Sequence, residues 1–210
     1  MIDDGMKVRQ YVAYRLARWK AEKNDARLRG ELANLRRGVG HTPGELPELW
    51  GLLFDGFPEE LMSKNGAPTK AEWAVSVALT MYALHQQGRS IGEAPMNVEG
   101  AALGRSVRRL AKNDDDVERV RRRFNAFATA EDMGECVHHL RGLVQLLRAE
   151  GIPLDYPALA YDLYRYQTLD GAQQVRLLWG QDFYRMVKYD EAAAEPDTAP
   201  AETDTTSEEG

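Results

Sequence analysis

Apolar positions recur at helical spacing along most of the chain. Val8, Val12, Leu16 and Trp19 fall at i, i+4, i+8 and i+11, which marks one helix face. Leu28, Leu32 and Leu35 resume the pattern after a break near Asn24-Asp25, and Gly38 and Gly40 end it. A short helix is predicted over 46–54, with Pro47 in its first turn, where a missing N–H costs little. Thr69-Lys70-Ala71-Glu72 has the form of a capping box. The helix it opens, over about 70–87, carries Trp73, Val75, Val77, Leu79, Met81, Tyr82 and Leu84, apolar on most sides, and so reads as a central, largely buried helix.

A loop with Gly92 and Pro95 follows, and then helices over about 98–112, 114–128 and 130–149. Asp114 is a candidate cap for the second, and three acids at its start suit the positive end of a helix dipole. Gly151 and Pro153 stop the third, Asp155-Tyr156-Pro157 starts another, and a last helix is predicted over about 172–187. No segment alternates in the manner of a strand. The expected fold is all-α: two small helical bundles packed in tandem, divided as 1–95 and 96–188. Residues 189–210 form a tail that, after Tyr189, holds only Ala, Glu, Asp, Thr, Pro, Ser and Gly. It lacks the apolar surface to offset its ordering entropy, so a disordered acidic tail is expected.

Charge changes the picture. The 210 residues carry a formal net charge of −6, but the segment from Asp190 to Gly210 holds eight acids and no base. The remaining 27 bases face 25 acids, so the body is slightly basic. Residues 104–123 hold eight bases against four acids, and residues 7–37 hold ten against three. At roughly 100° per residue, Leu103, Val107 and Leu110 share one side of a helix and Arg105, Arg108, Arg109 and Lys112 the other. In the next helix Val117, Val120, Phe124 and Phe127 form the apolar stripe. Arg119, Arg122 and Arg123 lie away from it, and Arg121 on its other flank. Arg36-Arg37 closes the N-terminal basic stretch beside a glycine loop. Arginine presents a planar fork that holds phosphate bidentately. A solvated helix surface is the plain alternative for any such charge run.

Other classes fit poorly. The most apolar stretch, Trp73 to Leu84, falls short of the roughly 20 residues that cross a bilayer. Met1-Ile2-Asp3-Asp4 lacks the apolar region of a secretory signal, and a single Cys136 leaves no internal disulfide, so the cytoplasm is expected. Glu135-x-x-His138 has the spacing of one half of a di-iron motif, but the second half is missing. Gly38-Val39-Gly40 lacks the strand and the Lys-Ser/Thr of a phosphate loop. Cys136 aligns with Leu140, Leu143 and Leu147, and helical spacing assigns Tyr161, Tyr164, Tyr166, Trp179, Phe183 and Tyr184 to packing. No cofactor and no catalytic constellation are expected. Two alternatives remain: a helical adaptor whose basic faces meet acidic proteins, and a metal enzyme built on Glu135 and His138.

Several segments, in this order and spacing, resemble the small subunit of the type I-E CRISPR surveillance complex Cascade, the CasB family. They are Leu103-Gly104-Arg105, Leu140-Arg141-Gly142-Leu143-Val144, Leu147-Arg148-Ala149-Glu150-Gly151-Ile152 and Pro153-Leu154-Asp155-Tyr156. Leu159-Ala160-Tyr161-Asp162-Leu163-Tyr164, Val175-Arg176-Leu177-Leu178-Trp179-Gly180 and Asp182-Phe183-Tyr184 complete the set. The resemblance spans about residues 8–187. It implies two helical bundles and two copies lying head to tail in a complex with backbone and large subunits. It also implies a non-catalytic role in holding the guide RNA–target DNA hybrid and the displaced strand, while a separate nuclease-helicase cuts. Arg105, Arg36, Arg37 and Arg141 match basic positions of the family pattern. Arg108, Arg109, Lys112, Arg119, Arg121, Arg122 and Arg123 carry over less directly, since members vary in where their charges sit.

Overall fold

The computed structural model describes residues 3–185. The acidic tail, and the expectation that it is disordered, lie outside the described residues. Among those residues the chain is all-helical, as the spacing predicts. α1 (Asp4–Ala21) and α2 (Asp25–Arg37) form a first hairpin, capped by Asp3 and Asn24, whose side chains accept from Met6 N and Arg27 N. The predicted helix over 46–54 is instead a 3-10 turn (Pro47–Leu49) running into α3 (Trp50–Phe54). α4 (Lys70–His85) starts on the expected capping box: Glu72 N donates to Thr69 Oγ1 and Thr69 N to Glu72 Oε2. Every residue from Ala74 to Gln86 is buried, so α4 is the central helix its all-round apolar pattern predicts.

The C-terminal half holds α5 (Leu103–Arg108), α6 (Asp114–Ala128), α7 (Met133–Glu150), α8 (Tyr156–Tyr166) and α9 (Leu169–Tyr184). α8 packs against both α1 and α4, α7 against α4 and α6, and α9 against α5 and α8. The residue 95/96 division falls in the connection between α4 and α5, and buried apolar side chains of one continuous cluster flank it on both sides.

Several boundaries differ from expectation for identifiable reasons. α5 is six residues long, not fifteen, because the segment before it pairs elsewhere. Val98 N donates to Leu154 O at 2.9 Å, Leu154 N to Met96 O at 3.1 Å, and Asp155 N to Ala101 O at 2.9 Å. Gly100 then turns with φ +77°, which glycine alone adopts without strain. Long-range pairing of this kind leaves no trace in local periodicity. Asn113 caps α6 in place of Asp114, its Oδ1 accepting from Asp116 N at 2.9 Å. Asp132 caps α7, which therefore begins at Met133 and not at Ala130. Thr168 caps α9, which begins at Leu169, ahead of the predicted start.

Arg15 corrects the reading of the N-terminal bases as surface charge. Only 5% of it is exposed. Its guanidinium donates to Leu52 O at 2.8 Å and Asp55 O at 3.1 Å, which caps the free carbonyls at the end of α3. Arg15→Met is expected to cost about 2 kcal/mol by orphaning those acceptors, read as a lower urea midpoint. An unchanged midpoint would show that water replaces the arginine without loss.

Candidate nucleic-acid interface

The short α5 redistributes the first basic group. Arg105 lies on the helix, half-exposed, donating to Gly100 O at 3.0 Å, with its Nε 3.8 Å from Asp182. Arg108 is the last residue of α5 and Arg109 its C-cap, and neither has an ion pair among the described residues. Lys112 is off the helix altogether and pairs with Glu150 at 2.8 Å. The helical wheel that put these four side chains on one face therefore holds only for Arg105 and Arg108.

On α6, Arg119 pairs with Asp116 at 2.5 Å, Arg121 with Glu118 at 2.5 Å, and Arg122 with Glu118 at 3.8 Å. Arg123 is exposed and unpaired among the described residues. Arg122 and Arg123 line a groove of about 340 Å³ between α6 and α7, closed on the other side by His138, His139 and Gly142. Arg141, one residue before Gly142, is exposed and unpaired among the described residues. On the N-terminal hairpin, Arg37 pairs with Glu48 at 3.2 Å, whereas Arg36 is half-buried and has no acid partner among the described residues. Burial lowers its pKa, and nearby Arg148 adds to the effect.

Thus Arg36, Arg108, Arg109, Arg123 and Arg141 stand unpaired among the described residues, and Arg37, Arg105, Lys112, Arg119, Arg121 and Arg122 hold acids. These pairs are solvated, and such pairs are worth only about 0–1 kcal/mol. A phosphate can displace the acid at little cost.

The other candidates resolve into packing. Tyr166, Trp179 and Phe183 are buried with Phe124 and Phe127, Trp179 lying 4.8 Å from Phe127. Tyr184, by contrast, is 63% exposed. Cys136 is fully buried, and burial pushes its thiol up to about 12. Glu135 lies 3.6 Å from His139, not beside His138, and no group of three or more metal-ligating side chains occurs among the described residues. No described helix is long and apolar enough to cross a membrane. Periodicity does not single out Arg29, Arg89 and Arg148, which the fold brings near Arg36. Arg89 sits in a loop, where helical spacing has nothing to report.

The profile of the CRISPR-associated protein Cse2 family matches residues 31–184. The chain belongs to the Cse2 family. This is the small-subunit family of type I-E Cascade that the motif order resembles. The crystal structure of CasB from Thermobifida fusca is 36% identical, with a TM-score of 0.70 over 84% of this chain and 97% of that one. The Cse2-family protein TTHB189 from Thermus thermophilus shares the fold, with a TM-score of 0.62 at 21% identity over 87% of this chain and 99% of that one. None of the curated proteins matches the chain. Membership in Cse2 makes the chain a subunit of a CRISPR surveillance complex rather than a free-standing module.

Proposed function

We propose that this Cse2 chain is a non-catalytic, nucleic-acid-binding small subunit that stabilises the guide RNA–target DNA hybrid and the displaced strand. Its partners are the backbone and large subunits of Cascade and a second copy of itself, in the cytoplasm. The binding residues are the arginines and the lysine described above, on α5 to α7 and at Arg36-Arg37. The observation that carries the reading is a set of unpaired arginines, Arg109, Arg123 and Arg141 exposed and Arg108 half-exposed. They come from three consecutive elements of a chain whose body is slightly basic. Arginines placed this way contact phosphates and carry no base readout.

The test is R-loop lifetime in the reconstituted complex over a salt series. Replacing Arg108, Arg109, Arg123 and Arg141 by Gln is expected to shorten the lifetime at least tenfold without altering the thermal midpoint. The log–log salt slope should fall by about 0.9 for each duplex phosphate that is no longer neutralised. An unchanged lifetime with complex assembly impaired would favour the alternative, a helical adaptor whose basic faces meet acidic proteins.

A further inference from the structure

A cleft of about 610 Å³ opens between the end of α1, one face of α2, and the loop that follows α4. Its lining includes four bases, Lys20, Arg29, Arg36 and Arg89, and two acids, Glu22 and Asp25. None of the four bases forms an ion pair with a described acid. The acids sit at the connection between α1 and α2: Glu22 accepts from Asn24 N at 2.8 Å and lies 3.9 Å from Arg27, and Asp25 opens α2, where a helix start favours an acid.

The end formed by Arg36 and the loop after α4 is basic and braced. Arg89 donates to Arg148 O at 2.9 Å, and Arg148 donates to Gln87 Oε1 at 2.7 Å. Both therefore bond neutral acceptors, Arg89 at the carbonyl end of α7, and neither has a carboxylate partner among the described residues. The loop holding Arg89 is fixed by Gln86, only 1% exposed. Its amide donates to Arg89 O and Ala94 O, each at 3.1 Å, and its carbonyl accepts from Met96 N at 2.8 Å. Gly88 makes the turn out of α4 with φ +79°. Holding like charges together in a half-buried, pre-shaped cleft costs stability, and an anion would recover it.

We propose that this cleft is a phosphate-binding site, with Arg29, Arg36 and Arg89 as its principal donors. It is assembled apart from Arg108, Arg109, Arg123 and Arg141 but takes in Arg36, so its strand-backbone form rests on the nucleic-acid role proposed for Arg36 above. The shared chemistry is a compact phosphate group, supplied by a strand backbone or by a free polyphosphate.

Trp19 also lines the cleft and reports on it. The experiment follows the Trp19 indole N–H resonance of the ¹⁵N-labelled full chain, assigned with Trp19→Phe, in phosphate-free buffer at low salt. One arm adds inorganic pyrophosphate and another a short oligothymidylate. A saturable shift is expected in the parent chain. In Arg29→Gln/Arg36→Gln the dissociation constant should rise at least tenfold. Neither side chain makes a hydrogen bond or ion pair among the described residues, so this variant keeps its fold. For the oligonucleotide, neutralising two fewer phosphates should lower the log–log salt slope by about 1.4. Saturation by the oligonucleotide identifies a strand as the source, and saturation by pyrophosphate alone a free polyphosphate. The Arg108→Gln/Arg109→Gln/Arg123→Gln/Arg141→Gln variant should keep the Trp19 shift intact, which separates this site from the R-loop surface. No saturable shift with either probe, the same affinity in Arg29→Gln/Arg36→Gln, or loss of the shift in the α5–α7 variant would overturn the proposal.

Discussion

Gly104→Val is expected to destabilise the fold by about 3 kcal/mol or more, the upper range for forcing volume into packed structure. Gly104 sits where α5 crosses α9. A Cβ there would meet the Trp179 carbonyl oxygen, with Phe183 N at 2.8 Å and the Asp182 Cβ at 2.9 Å. The first two are backbone atoms of a helix and cannot swing aside. The helices must separate, which opens the packing of Leu103 and Val107 against the buried Trp179 and Phe183. Since α5 positions Arg105 and Arg108, the same variant should lose nucleic-acid affinity even at temperatures where it stays folded. The controls are Gly142→Ala and Gly180→Ala on α7 and α9, where nothing lies within 4 Å of the added atom. Those should stabilise by up to about 1 kcal/mol, the helix propensity difference. Urea denaturation of the three variants decides the matter. A Gly104→Val loss below about 1 kcal/mol would mean that α5 does not pack tightly on α9.

The second large effect is a pair of opposed pH dependences. His85 is fully buried at the seam of α4 and α8, its Nδ1 3.0 Å from the Tyr156 hydroxyl. Its Nε2 has no well-formed partner, only the backbone near Leu147 and Ile152. Burial, with Arg89 and Arg148 nearby, lowers its pKa from 6.5 to about 4. As pH falls from 6.5 to 4 the unfolded chain takes up a proton that the folded one refuses, so stability falls by about 3 kcal/mol.

Asp162 works the other way. Burial raises its pKa from 3.8 to about 6, against the pull of the Trp179 indole, which donates to it at 2.8 Å. As pH falls from 6 to 3.8 the folded chain binds the proton first, so stability rises by about 3 kcal/mol. In the parent chain the two contributions nearly cancel between pH 4 and 6. Asp162→Asn should expose the His85 loss, and His85→Gln the Asp162 gain, as slopes of opposite sign in urea midpoints across that window. Parallel slopes in the two variants would show that one of the groups titrates normally.

The family and the central helix were legible without coordinates, because both rest on local order. A capping box at Thr69 and an apolar surround on α4 are short-range signals, and they translate directly into a buried helix. Gly151 and Asp155 likewise mark α7's end and α8's start by their own backbone and side-chain chemistry. The basic bias of residues 104–123 is also a property of the chain alone, and so is the acid content of the tail.

What each base does was decided only by the fold. Periodicity could not distinguish Arg15, which caps α3 from 36 to 40 residues away, from its exposed neighbours. It extended α5 because the pairing of Val98 with Leu154 joins residues far apart in sequence. It placed Lys112 with the arginines of α5, whereas the real partner is Glu150. The convergence of Arg29, Arg36, Arg89 and Arg148 joins α2, a loop and α7. Spacing along one helix reports which residues share a face, and a cluster assembled from three elements has no such spacing. Residue types and their local order therefore determined the helices and the family. Long-range packing decided which charges are consumed in holding the fold and which stand without an acid partner among the described residues.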